Sequence, residues 1–308
     1  MKVINIVHAI DTEGPLYEPL EATFERLAEI YQVTGIEYTR KNLLKLKNKE
    51  IDLNGKENEV ANILNGHLAN YNDTWDKIDE MLCDILSKNF KKKYKDSFGN
   101  GWVFNWHCLD HVGYEINPRR RDMGYHKIFD HYREITKKFK ISQETINWHF
   151  HPMSTYKEAH RCATSYVNSP ELYEILCRKI IERKWFPSVY RAGFQAERPD
   201  SNWFLEQWIP FDISNMSVEN INDLNKNIDF KNGRSGDWRL ATKEWEVYHP
   251  DHDNYQINGN CRRWIGRALN PLNRIGAMDQ FEMDKAFKRA NKNLQTLVGL
   301  ASHDFRDL

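Results

Sequence analysis

From Trp102 onward, short apolar runs rich in branched and aromatic residues alternate with stretches whose apolar residues recur at helical spacing. This alternation restricts the fold more than any other feature. Strands separated by helices long enough to cross a sheet pair side by side in parallel, which points to an α/β protein built on a parallel sheet or barrel. The pattern predicts strands at Trp102 to Cys108, Thr145 to His151, Ser188 to Arg191 and Pro210 to Ile213, with helices at Tyr125 to Phe139, Glu171 to Lys184 and Ser201 to Trp208. An earlier apolar run, Val3 to Ala9, reads as a buried strand that ends at Asp11-Thr12-Glu13-Gly14-Pro15. Beyond an irregular Asn-rich stretch, Asn215 to Asn232, the segment Trp245 to Tyr248 is strand-like. A last helix, from about Met283 to Leu294 with Ala286, Phe287 and Ala290 on one face, leads into apolar Leu297 to Leu300.

Between the first two strands the periodicity is helical, from about Leu20 to Lys95, with Phe24, Leu27 and Tyr31, then Leu43 and Leu46, then Ile78, Leu82 and Ile85 on the apolar faces. Five lysines within Lys88 to Lys95 read as a solvated helix end before Gly99 and Gly101. The 308 residues suit one domain of residues 1–308 with a helical insertion at about 20–95, or two domains. Lysine plus arginine and aspartate plus glutamate both number 44, so no net field favours a nucleic acid or an anionic membrane. No apolar run approaches the ~18 residues of a membrane span, and the N-terminus has no signal-peptide cleavage pattern, so a cytoplasmic location is expected. The five cysteines (Cys83, Cys108, Cys162, Cys177, Cys261) are odd in number and never spaced C-x-x-C, which argues against a disulfide framework and a thiolate zinc site.

In barrels the chemistry gathers at the C-terminal strand ends. Here those ends carry Asp11 and Glu13, Asp110 and His111, His149 and His151, Arg191, Asp212, and finally His303. His149 and His151 are two residues apart, so an extended strand places both imidazoles on one side, close enough to share an ion. Imidazole nitrogen and carboxylate oxygen suit zinc, and cobalt, nickel or iron(II) equally. A hydrolytic site then needs a base and a proton donor. The remaining acid of the pair and His303 fit those tasks, and Arg191 would keep the acid ionised. Two other readings use the same residues: a metal-independent glycosidase with Asp11 and Glu13 as paired carboxylates, and a catalytically silent carbohydrate-binding barrel.

The order of these motifs resembles the polysaccharide deacetylases, the NodB-homology carbohydrate esterases. Ile10-Asp11-Thr12-Glu13-Gly14 is similar to the family's first motif lengthened by one residue; Trp148-His149-Phe150-His151-Pro152 is similar to its histidine motif, with the pair two residues apart instead of four and Asn147 before it. Tyr190-Arg191-Ala192-Gly193 resembles its arginine motif, followed by Trp203-Phe204-Leu205 and Phe211-Asp212-Ile213-Ser214, and Leu300-Ala301-Ser302-His303-Asp304 resembles its last one. The resemblance implies a distorted (β/α) barrel and one divalent ion, zinc first, held by Glu13, His149 and His151. It further implies Asp11 as base, Arg191 as its orienting partner and His303 as acid, acting on an N-acetylated amino sugar in surface-polysaccharide or O-antigen biosynthesis. Asp110 and Asp212 are expected to line the substrate. The cluster Cys261-Arg262-Arg263-Trp264 with Arg267 suggests that Arg263 and Trp264 hold a nucleotide- or lipid-linked diphosphate.

Overall fold

The computed structural model describes residues 2–65, 71–152, 157, 166, 169–218, 236–269, 280–293 and 295–306. In chain order the elements are strand β1 (Val3–Thr12), helices α1 (Leu20–Tyr31), α2 (Arg40–Lys47), α3 (Glu57–Asn65), α4 (Trp75–Ile85) and α5 (Lys88–Lys93), then β2 (Asn105–Cys108), α6 (Lys127–Lys138) and β3 (Thr145–Phe150). There follow α7 (Glu171–Arg183), β4 (Val189–Ala192), a 3-10 turn (Gly193–Gln195), α8 (Pro199–Trp208), β5 (Phe211–Asn215), β6 (Trp264–Arg267), α9 (Gln280–Asn293) and β7 (Gln295–His303).

The seven strands form one parallel sheet in the order β6-β5-β4-β3-β2-β1-β7. Its two edges nearly meet. Leu269, just beyond β6, donates its N–H to the Gly299 carbonyl and accepts from the Ala301 N–H, both at 3.0 Å, so the sheet curls into an almost closed barrel. Gly299 permits this approach: a Cβ there would stand 2.0 Å from the Arg267 carbonyl oxygen.

Period-2 alternation sorts the strand residues into two faces. Ile10, Trp106 and Cys108 pack outward against Ile78 and Leu82 of α4 and Ile128, Phe129 and Tyr132 of α6. Trp148, Phe150, Tyr190 and Ala192 likewise meet Leu172 and Ile175 of α7 and Phe204 and Leu205 of α8. Burying each of these large side chains contributes ~1.5–3 kcal/mol. The intervening positions therefore turn inward, and register aligns them: Asp11 lies beside His107 on one flank and His303 on the other, and His149 beside Arg191.

The segment between β1 and β2 is helical in two parts. Helices α1 to α3 gather around Phe24, Leu27, Leu46, Val60 and Ile63, whereas α4 belongs to the barrel wall. Thr39 and Thr74 start α2 and α4 by accepting the N–H of Asn42 and Lys77.

Three expectations change. Trp245 to Tyr248 is not a strand: Trp245 is buried with Leu269, Ala286 and Val298, and Tyr248 makes an isolated antiparallel bridge to Ile265. The sixth strand is instead Trp264–Arg267, within the stretch read as a basic cluster. Its polar look misleads because Arg263 and Arg267 are buried, with Arg267 donating to the carbonyls of Ser217 and Lys243 at 2.8 Å. On α9, Ala286 and Ala290 are buried but Phe287 is exposed. Leu294, Cys162 and most of the Asn-rich stretch lie outside the described residues; the four described cysteines are free. Among the described residues no helix is long and apolar enough to cross a membrane.

Candidate metal centre

Asp11 ends the inward row of β1, and Glu13 continues it into the following turn. That turn is fixed from β7: the Asp304 carboxylate accepts the N–H of Glu13 and of Gly14 at 2.9 Å each and the Tyr132 hydroxyl at 2.9 Å. Gly14 takes φ +70°, which suits glycine. Burial outweighs these donors and pushes the Asp304 carboxyl up to about 7.

On β3 the two imidazoles converge on Glu13. His149 Nδ1 lies 2.8 Å from the Arg191 carbonyl oxygen. A carbonyl only accepts, so Nδ1 carries a proton, and in the neutral ring Nε2 keeps its lone pair. That Nε2 is 3.0 Å from His151 Nε2 and 3.6 Å from Glu13 Oε1, and His151 Nε2 is 3.4 Å from the same oxygen. The three ligand atoms lie within 4.8 Å of one another, all on buried residues. Bonds of about 2.0–2.1 Å at tetrahedral angles place ligand atoms about 3.3 Å apart. The three spacings bracket that value, so the residues fit a divalent ion. The second Glu13 oxygen, Oε2, is taken by Arg121 Nη2 at 2.6 Å, which turns Oε1 toward the imidazoles.

Asp11 stands beside this triad. Its Oδ1 accepts from Arg191 Nε at 2.5 Å, and its Oδ2 is 3.6 Å from His303 Nε2, which is also 3.9 Å from Glu13 Oε1. The His303 side chain is 20% exposed, against 5% or less for Asp11, Glu13, His149 and His151, so the solvent side of the site is the His303 side.

Burial opposes ionisation of both acids, yet both stay below the usual carboxylate range. Arg191, His149 and His303 achieve this for Asp11, and Arg121 and His151 for Glu13. Burial alone would neutralise His149, but Asp11 and Glu13 raise it; for His151 burial prevails and lowers it. Burial likewise pulls His303 down to about 4 and the neighbouring His107 to about 3, so both rings are neutral at pH 7.

Asp11, Glu13, His149, His151, Arg191 and His303 thus come together from four strands. The other expected site residues are engaged elsewhere. Asp110 accepts from the His126 N–H at 2.5 Å and pairs with the buried Lys179 at 2.7 Å. Arg263, with no exposed surface, holds Glu197 at 3.0 Å and Asp212 at 3.1 Å. Burial beside Asp212 pushes Glu197 up to about 8. Trp264 packs on the His249 ring at 3.5 Å. Asp110, Asp212 and Arg263 are buried and tied to these partners, apart from the Glu13–His149–His151 group.

Sequence reasoning missed Asp304, His107, Arg121 and Gly193. Asp304 follows His303 directly, and His107 shares the inward register of Asp11, so each carried a local signal. Arg121 is 108 residues from the carboxylate it holds, and no local pattern links them. No protein-family model, curated protein or solved structure matches this chain, so the geometry of the centre carries the functional argument by itself.

Proposed function

We propose that this protein is a metal-dependent hydrolase that removes the N-acetyl group from an amino sugar. The observation that carries the reading is the Glu13–His149–His151 triad with an ionised carboxylate, Asp11, beside it and a neutral imidazole, His303, on its solvent side. A divalent ion held by the triad, zinc as first choice, supplies Lewis acidity to an amide carbonyl and to the attacking water. Asp11 Oδ2 is the base that takes the water proton, while Arg191 holds Oδ1 and fixes the carboxylate in place. His303 gives a proton to the departing amine. Because burial keeps its ring neutral at rest, that proton must arrive within the cycle, and Asp11, 3.6 Å away, is its nearest source.

The glycosidase reading is weaker on this geometry. It requires one carboxyl raised enough to stay protonated, whereas both Asp11 and Glu13 are held low by arginines. A place in surface-polysaccharide synthesis and a cytoplasmic location extend the resemblance in the motifs and belong to the same proposal. The test is elemental analysis of the purified protein beside His149→Ala and His151→Ala, with acetate release measured on N-acetylated amino sugars. About one ion per chain, lost in both variants, with acetate released only by the loaded protein, is the expected result. Absence of bound ion after incubation with zinc or cobalt would overturn it.

A further inference from the structure

Beside His303, at the open edge of the centre, two arginines lie against one aromatic ring. The Phe305 ring is 4.7 Å from that of His303; the Arg121 guanidinium carbon is 5.1 Å from the Phe305 centroid, and that of Arg306 is 5.7 Å from it. Arg121 spends Nη2 on Glu13. Its Nε and Nη1, and those of Arg306, are buried and have no hydrogen-bond partner among the described residues. Leaving a buried charged donor unpaired costs more than the ~1–3 kcal/mol of a neutral one. Arg121 is also held rigidly: Asn117 Oδ1 accepts its N–H and Asn117 Nδ2 donates to its carbonyl, both at 2.8 Å.

The charge balance points the same way. Glu13 is paired with Arg121 and Asp11 with Arg191. These cancel, so a divalent ion leaves two positive charges in excess in a region shielded from water, where counter-charge is strongly favoured.

We propose that this edge is an oxyanion subsite, and that the N-acyl sugar acted on carries an acidic group, a carboxylate or a phosphate, received by Arg121 and Arg306 beside Phe305. The inference rests on the deacetylase reading for the sugar and adds the acidic substituent. Arginine suits the task, because its donors remain charged at every working pH.

The test is calorimetric titration of the full chain, with and without zinc, using N-acetylglucosamine, its 6-carboxylate and its 1-phosphate. At least one acid is expected to bind about tenfold tighter than the neutral sugar, and which acid it is separates a sugar carboxylate from a phosphate. Arg306→Gln touches no metal ligand and is expected to keep zinc while losing most of that preference. Arg121→Lys keeps a charge for Glu13 but removes the spare donors; it should lose the preference too, together with some zinc affinity, because Arg121 also orients Glu13. Equal binding of all three sugars, or a preference surviving in both variants, would overturn the subsite. Acetate release from the neutral sugar with no preference for acid sinks the subsite alone; acid preference in a protein that holds no zinc sinks the deacetylase reading alone.

Discussion

Gly193→Ala should empty the metal centre without altering a ligand. Gly193 opens the turn after β4, and a Cβ there would lie 1.9 Å from His151 Cδ2, 2.6 Å from Cγ and 2.8 Å from Nε2. Its φ is outside the left-handed region, so alanine fits the backbone and the whole effect comes from the contact with the ring. To restore ordinary contact the imidazole must withdraw by about 1.5 Å, whereas ligand distances tolerate only about 0.2 Å. His151 is then lost as a ligand. Loss of a mere supporting contact costs about 10–100-fold in affinity, so removing a ligand should cost at least about 100-fold. Overpacking adds about 1–3 kcal/mol of destabilisation, which leaves the protein folded with a melting point lower by several degrees. Zinc affinity measured by competition with a chromophoric chelator, beside far-ultraviolet circular dichroism, separates the two effects. A folded Gly193→Ala protein with wild-type zinc affinity would refute the reasoning.

Three further outcomes follow from the same geometry. His303→Gln should retain the ion but lose turnover by about 10²–10⁴-fold, read from acetate release at equal metal content; loss of the ion instead would make His303 a ligand. Zinc at about one hundred times its dissociation constant should stabilise the wild type by about 2.7 kcal/mol and His149→Ala not at all, as seen in thermal melts. The buried Glu197 supplies a pH test. Its folded-state value, about 8, is above the ordinary 4.5, so the folded chain binds the proton more tightly. That contribution is fully present below pH 4.5 and is lost as pH rises through about 8. Melting temperature should therefore fall across that interval in the wild type and fall less in Glu197→Gln; parallel profiles would count against the assignment.

Much of the architecture was legible because parallel α/β proteins write their layers locally. The outward residues Ile10, Trp106, Trp148 and Tyr190 are apolar because they cover helices, so β1 to β5 stood out. Strand β6 did not, because Arg263 and Arg267 are buried there against partners that reach them from remote parts of the chain. The inward face carries the polar residues, which is why Asp11, His149, His151, Arg191 and His303 could be picked out at strand ends as candidates. Their grouping could not be derived from spacing alone.

The period-2 pattern of β1 and β3 by itself determined that Asp11 with Glu13, and His149 with His151, share a face, since backbone geometry places alternate side chains together. Only the tertiary structure decided what they do there. Closing the sheet at Gly299 and ordering β1 beside both β2 and β7 brings His303 to Asp11 from 292 residues away. The fold also selects Arg121 as the cation that grips Glu13 while Arg119 pairs with Glu18 and Arg120 stacks on Tyr17. Local geometry reads only near neighbours; charge pairing, burial and the pKa values that follow are set by distances in space.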